Sequence, residues 1–175
     1  DQLAAAVTGE PRRLAVALRD RVAGEDNAAR AAVIWDSPGE RWFTPADPIW
    51  RVHADAAMFV AGIRALLLQS LHPLAMAGVA GHSGYRGDPW GRLQRTSNFL
   101  ATTTFGTIKD AEASIERVRG IHERVRGKGP GGRPYAASDP HLLKWVHIAE
   151  ADSFLRTHQR YAGTCLLYTS DAADD

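Results

Sequence analysis

The apolar positions recur at helical rather than strand spacing. In residues 110–126, Ile115, Val118 and Val125 fall three and seven apart, on one stripe of a helix. His122 takes the fourth place in that stripe. Glu116, Arg117, Arg119, Glu123, Arg124 and Arg126 occupy the other faces. This predicts a helix with a salty outside and an imidazole on its inner side. Gly120 sits mid-helix, where it costs about 1 kcal/mol relative to alanine. Such a glycine suits a close approach of something flat or bulky to the backbone. The residues alone fit a core histidine bonded to a carbonyl, with a glycine at a helix crossing, at least as well.

Around this helix the pattern predicts others. Residues 11–22 form a short helix with Leu14, Leu18 and Val22 as its stripe. Residues 24–32 read as loop or weak helix, and 35–49 as an aromatic arm lying across other elements. Residues 48–71 read as one central helix with an apolar arc of Val52, Ala56, Phe59, Val60, Ile63, Leu66 and Leu67. Pro73 ends it. Residues 74–80 add a further turn or two, and 81–87 form a glycine loop. Residues 89–105 form a helix stopped by Gly106. Its Arg92, Thr96, Phe99 and Thr103 share a stripe, so Arg92 and Thr96 project side by side. Residues 127–138 are a glycine-rich loop. Residues 140–161 form a last helix with Leu143, Val146, Phe154 and Tyr161 on its apolar side and His147 and Glu150 near it.

Three Asp-Pro steps, Asp47-Pro48, Asp88-Pro89 and Asp139-Pro140, each place a capping acceptor before a proline suited to the first helical turn. No strand alternation or βαβ order accompanies them. The expected fold is all-α, a single domain of about five to seven helices. The terminal CLLYTSDAADD departs from this pattern and resembles translated sequencing-adapter read-through. Residues 164–175 are therefore set aside as a non-native tail, and the domain is expected to occupy 1–163 and to be truncated.

Composition narrows the chemistry. Net charge is +1, which gives no electrostatic footprint for nucleic acid. The one cysteine, Cys165, excludes a disulfide framework and a thioether-attached haem. The apolar run 54–71 is broken by Asp55 and Arg64 and reads as a core helix rather than a membrane span. Seven histidines are present, but no Glu-x-x-His motif for a di-iron bundle and no G-x-S-x-G elbow for a serine hydrolase. The glycine loop at 127–138 follows no strand, so it fails as a dinucleotide site. A haem asks for less: one histidine on an apolar helix face, a flat slot, and cationic or hydroxyl groups near it. His122, Arg92, Arg95 and Thr96 make that one candidate among several.

Four ordered segments then carry a resemblance: LLLQSLHPLAMAGVAGHSGYRGDPWGRLQRTSNFL at 66–100, VRGIHERVRG at 118–127, GRPYAASDP at 132–140 and LLKWVHIAEADS at 142–153. Together they resemble the MpaB-like oxygenases, the family that includes the latex-clearing rubber oxygenases. The resemblance spans roughly 50–163. It implies an α-helical domain that binds haem b through an axial histidine and uses molecular oxygen. The family's signature of an arginine, a threonine four residues later and a histidine further on maps to Arg92, Thr96 and His122. His147, in KWVH, is the second candidate ligand. His72, in LHP, is expected to be structural or at the pocket rim. On this reading His122 binds iron with Gly120 nearby, and Arg92, Thr96 and Arg95 serve haem or oxygen. Where latex-clearing proteins place a distal lysine, this chain has Arg95. It also has no acidic residue between Ala56 and Gly87, where they place a catalytic glutamate. The implied activity is therefore the broader one: oxidation of an apolar small molecule, an isoprenoid being one candidate. The expected location is cytoplasmic, with room for a peripheral membrane contact. The competing expectation is a non-catalytic, haem-free helical module that binds a lipid or partner helix.

Overall fold

A computed structural model describes residues 24, 27–82, 84 and 87–162. The helix expected at 11–22 and the tail at 164–175 lie outside the described residues. Among them are seven α-helices: α1 Asn27–Asp36, α2 Pro48–Ala54, α3 Ala57–Ser70, α4 Pro73–His82, α5 Pro89–Phe105, α6 Ile108–Arg124 and α7 Pro140–Tyr161. The fold is all-α apart from a small hairpin of β1 Arg126–Lys128 and β2 Pro134–Ala136.

Two of the three Asp-Pro steps cap as expected. Asp88 Oδ1 accepts from the Gly91 amide at 2.7 Å, and Asp139 Oδ1 accepts from the His141 amide at 2.8 Å. Asp47 instead turns back to Thr44, accepting from its amide at 2.7 Å and its hydroxyl at 2.8 Å. The backbone hydrogen bond from Thr44 is the main reason its carboxyl pKa is lowered. α6 begins two residues earlier than its apolar stripe suggested, because Thr107 caps it. The Thr107 hydroxyl oxygen accepts from the Asp110 amide at 3.2 Å, and the hydroxyl donates to the Asp110 carboxylate at 2.7 Å.

The single helix expected over 48–71 is two helices bent by 95°. Asp55 breaks it. Its backbone is extended, and its carboxylate accepts from the Ala57 amide at 2.7 Å, opening a new helix. Gly106 stops α5 without the left-handed geometry common at helix ends: its φ is −76°. Glycine is required there because a Cβ would meet the Thr102 carbonyl oxygen at 2.5 Å.

The expected apolar arc of α3 is also corrected. Its buried residues are Ala57, Ala61 and Ala65, whereas Val60, Ile63 and Leu67 are 49%, 57% and 65% exposed. The alanine stripe packs along Ala149, Ser153 and Thr157 of α7, and this is the most extensive helix pairing. Small residues let two helices approach closely, so the narrow stripe is the buried one. The pair is antiparallel. Arg64 reaches Asp152 at 2.8 Å and Ser153 Oγ at 2.8 Å, and the His72 and Trp145 rings lie 5.7 Å apart. On α7 the buried apolar residues are Leu142, Ala149 and Phe154, while Leu143 and Tyr161 are exposed. Val52, Ala61 and Phe154 form the core cluster, with Met58, Leu100 and Leu155 against it.

The aromatic arm does cross other elements. Glu40 accepts from the Ile108 amide at 2.8 Å, at the α5–α6 junction. Arg41 donates from Nε to the Phe105 carbonyl at 2.9 Å and from Nη2 to the Ile34 carbonyl at 2.9 Å, so one guanidinium closes the ends of α1 and α5. Trp35 stacks on Phe105 at 5.4 Å, and Trp42 stays largely in solvent. The stretch expected as a loop, 127–138, contains the hairpin, in which Gly127 pairs with Tyr135. Its turn uses Gly131 and Gly132 at φ 68° and 75°. Tyr135 leans on α4, its hydroxyl donating to the Ala77 carbonyl at 3.4 Å.

Candidate functional site

α5 brings the first residues of the site. Arg92 lies one turn after the Asp88 cap, half-buried, and donates from Nη2 to Gln69 Oε1 of α3 at 3.2 Å. It lines a shallow, open cavity of ≈370 Å³ with Leu66, Pro89, Trp90 and Leu93. That volume lies within the roughly 300–1,000 Å³ of small-molecule pockets. The walls are apolar apart from the guanidinium.

The neighbouring polar groups on α5 are engaged locally. The Thr96 hydroxyl donates to the Arg92 carbonyl at 3.1 Å, the back-bond a threonine makes inside a helix. Its oxygen lone pairs remain available as acceptors. Arg95 is exposed and lies 3.5 Å from Asp88, the cap of its own helix. Neither Thr96 nor Arg95 lines the cavity.

His122 occupies the last turn of α6, on the stripe of Ala111, Ile115 and Val118. Ala111 is buried, and His122 is half-buried. Its ring makes no hydrogen bond among the described residues. Burial lowers its pKa from the ordinary 6.5, so the imidazole is neutral at pH 7. A ring with both nitrogens uncommitted among the described residues differs from the carbonyl-bonded core histidine that the residues alone favoured. His122 is not among the cavity-lining residues. Gly120 is two residues away, about 200° around the helix, and faces away from that ring. Its nearest prospective contact is distant: a Cβ there would meet Arg124 Nη1 at 3.9 Å. No helix crossing among the described residues accounts for this glycine. His147, on α7, is exposed.

Sequence reasoning passed over two other histidines. His53 Nδ1 lies 2.7 Å from Thr104 Oγ1, and its ring packs edge-on to Phe154 at 4.9 Å. Burial lowers its pKa. His158 is buried, and its Nδ1 has no hydrogen-bond partner among the described residues. Its position four residues after Phe154, on the same helix face, was the available signal. Among the described residues no three His, Cys, Asp or Glu side chains converge as a metal cluster.

No curated protein and no solved structure matches the chain. The family described as "ER-bound oxygenase mpaB/B'/Rubber oxygenase, catalytic domain" matches residues 50–174, well over half the sequence, and the chain belongs to that family.

Proposed function

We propose that the chain is a haem b-dependent oxygenase acting on an apolar small molecule, with an isoprenoid as one candidate. Membership of an oxygenase family supports the reaction class. The observation that carries the haem assignment is the state of His122: half-buried, neutral by burial, and uncommitted to any hydrogen bond. An iron ligand must present a deprotonated nitrogen, and this ring does so without first losing a proton at pH 7. This state of His122 supports the haem reading. His122 is the proposed axial ligand, with His147 as the second candidate.

Bound haem would supply the oxygen-activating redox chemistry. The chain's own residues do the rest. Arg92 holds a permanent positive charge at the cavity wall, suited to a propionate or a polar ligand edge, and Gln69 orients it. Thr96 offers an acceptor oxygen one turn on, and Arg95, exposed on the same helix, a second guanidinium. Leu66, Pro89, Trp90 and Leu93 provide the apolar surface against which a hydrocarbon displaces water. Oxygen is the proposed co-substrate, and the cytoplasm the proposed location.

Titration with haemin tests this. The purified protein is expected to develop a Soret band at one equivalent. His122→Ala abolishes it and His147→Ala leaves it, while the reverse pattern transfers the ligand to His147. No band in any form removes the haem assignment.

One observation favours a second reading, a haem-free helical module that binds a lipid surface or partner helix. Val60, Ile63 and Leu67 on α3, with Leu71 just after its end, form an exposed apolar stripe. Stoichiometric uptake of an apolar ligand by iron-free protein, with no response to haemin, is its distinguishing result.

A further inference from the structure

Glu150 is a carboxylic acid that the proposed chemistry does not use. Its position follows from the α3–α7 register. Arg64 of α3 stands beside Asp152 and Ser153 of α7, and His72 stands beside Trp145. Stepping between these two contacts puts Glu150 level with Leu66. Leu66 comes two residues after Arg64, and Glu150 two residues before Asp152. Each is therefore turned about 200° from its partner in the ion pair. Leu66 and Glu150 thus share the flank of the helix pair opposite Arg64–Asp152. That flank carries the cavity, because Leu66 lines it and Gln69, one turn on, meets Arg92.

The carboxyl is in an unusual condition. Burial raises its pKa, opposed in part by the charge of His147. No hydrogen bond or ion pair reaches it among the described residues. It is not sealed in, either. The one fully buried side-chain polar atom without a partner among the described residues is His158 Nδ1, so the Glu150 oxygens retain access to open space. A desolvated carboxyl costs folding free energy, and among the described residues only the charge of His147 offsets it, in part.

We infer that Glu150, which stands beside the cavity and not among its lining residues, is its polar anchor, binding a hydroxyl group carried by an otherwise apolar ligand whose hydrocarbon lies along Leu66, Leu93 and Trp90. This rests on the reading of the Arg92 cavity as the substrate site. A hydroxyl suits the position in either protonation state: it donates to a carboxylate and accepts from the acid.

The test uses the purified full chain and two probes of equal length, 1-decanol and decane, with affinities measured by calorimetry. The preference for decanol over decane is expected to fall about tenfold in Glu150→Leu, the worth of one hydrogen bond to a carboxyl. Glu150→Gln, whose amide both donates and accepts, is expected to keep the preference. Leu66→Trp, which fills the space beside Glu150, is expected to weaken both probes alike. An unchanged preference in Glu150→Leu, with both probes still bound, overturns the inference and leaves the cavity as the substrate site. Failure of the unaltered protein to bind either probe overturns the inference and the cavity reading together.

Discussion

Three partly buried side chains, His53, His122 and Glu150, carry the expected acid sensitivity of this protein. Burial lowers the pKa of His53 and His122 below 6.5 in the folded chain. In the unfolded chain the same rings take up protons near 6.5. Their contribution to stability is therefore complete above pH 6.5 and is lost as pH falls from there through the lower folded values. Glu150 acts in the opposite direction, because its folded pKa is raised above 4.5 and the folded state resists its ionisation as pH rises past that value. The melting temperature is expected to drop as pH falls below 6.5. His53→Gln, which preserves a partner for the Thr104 hydroxyl, makes that drop shallower. Differential scanning calorimetry across the range decides it, and a flat profile in the unaltered protein rules the account out.

At the scale of elements, the α3–α7 contact decides the packing. Ala61 has no exposed surface and meets α7 through a side chain of one carbon. Ala61→Leu forces the helices apart and is expected to cost about 1–3 kcal/mol or more. Ile63→Ala removes a much larger side chain but is expected to change stability by less than about 0.5 kcal/mol, because Ile63 is mostly solvated. Urea denaturation of both variants measures the contrast. Equal losses would mean that Ile63 is covered in solution. The bend between α2 and α3 belongs to the same scale. It lets α2 meet both α5 and α7, which brings His53 to Thr104 and Phe154.

At the scale of the whole molecule, the described residues leave one flank of the α3–α7 pair apolar. Val60, Ile63 and Leu67 on α3, with Leu71 just after its end, share it with Trp145 and Ile148 on α7, all exposed. The Arg64–Asp152–Arg156 ion-pair chain crosses the same flank, with Asp152 holding Arg64 at 2.8 Å and Arg156 at 2.5 Å. No single described helix is long and apolar enough to cross a membrane. Contiguous exposed apolar surface of this kind favours association in water. Leu67→Lys is expected to reduce association in sedimentation velocity with little change in melting temperature. Association that persists unchanged would place the sticky surface elsewhere.

Local rules were legible in the chain. The Asp-Pro steps at 88 and 139, the start and stop of α5 and the all-α class all follow from interactions within about four residues, which any sequence displays. Arg92 and Thr96 were legible as neighbours one turn apart on α5 and His122 as part of the α6 stripe, whereas their assignment to a site came from the resemblance and not from spacing. The tertiary structure decided which stripe of α3 is covered, where Asp47 turns, and that Glu150 stands level with Leu66 on the cavity's flank. Those outcomes depend on how closely helices distant in sequence approach one another. Periodicity marks several faces as apolar, and only packing selects the one that leaves water.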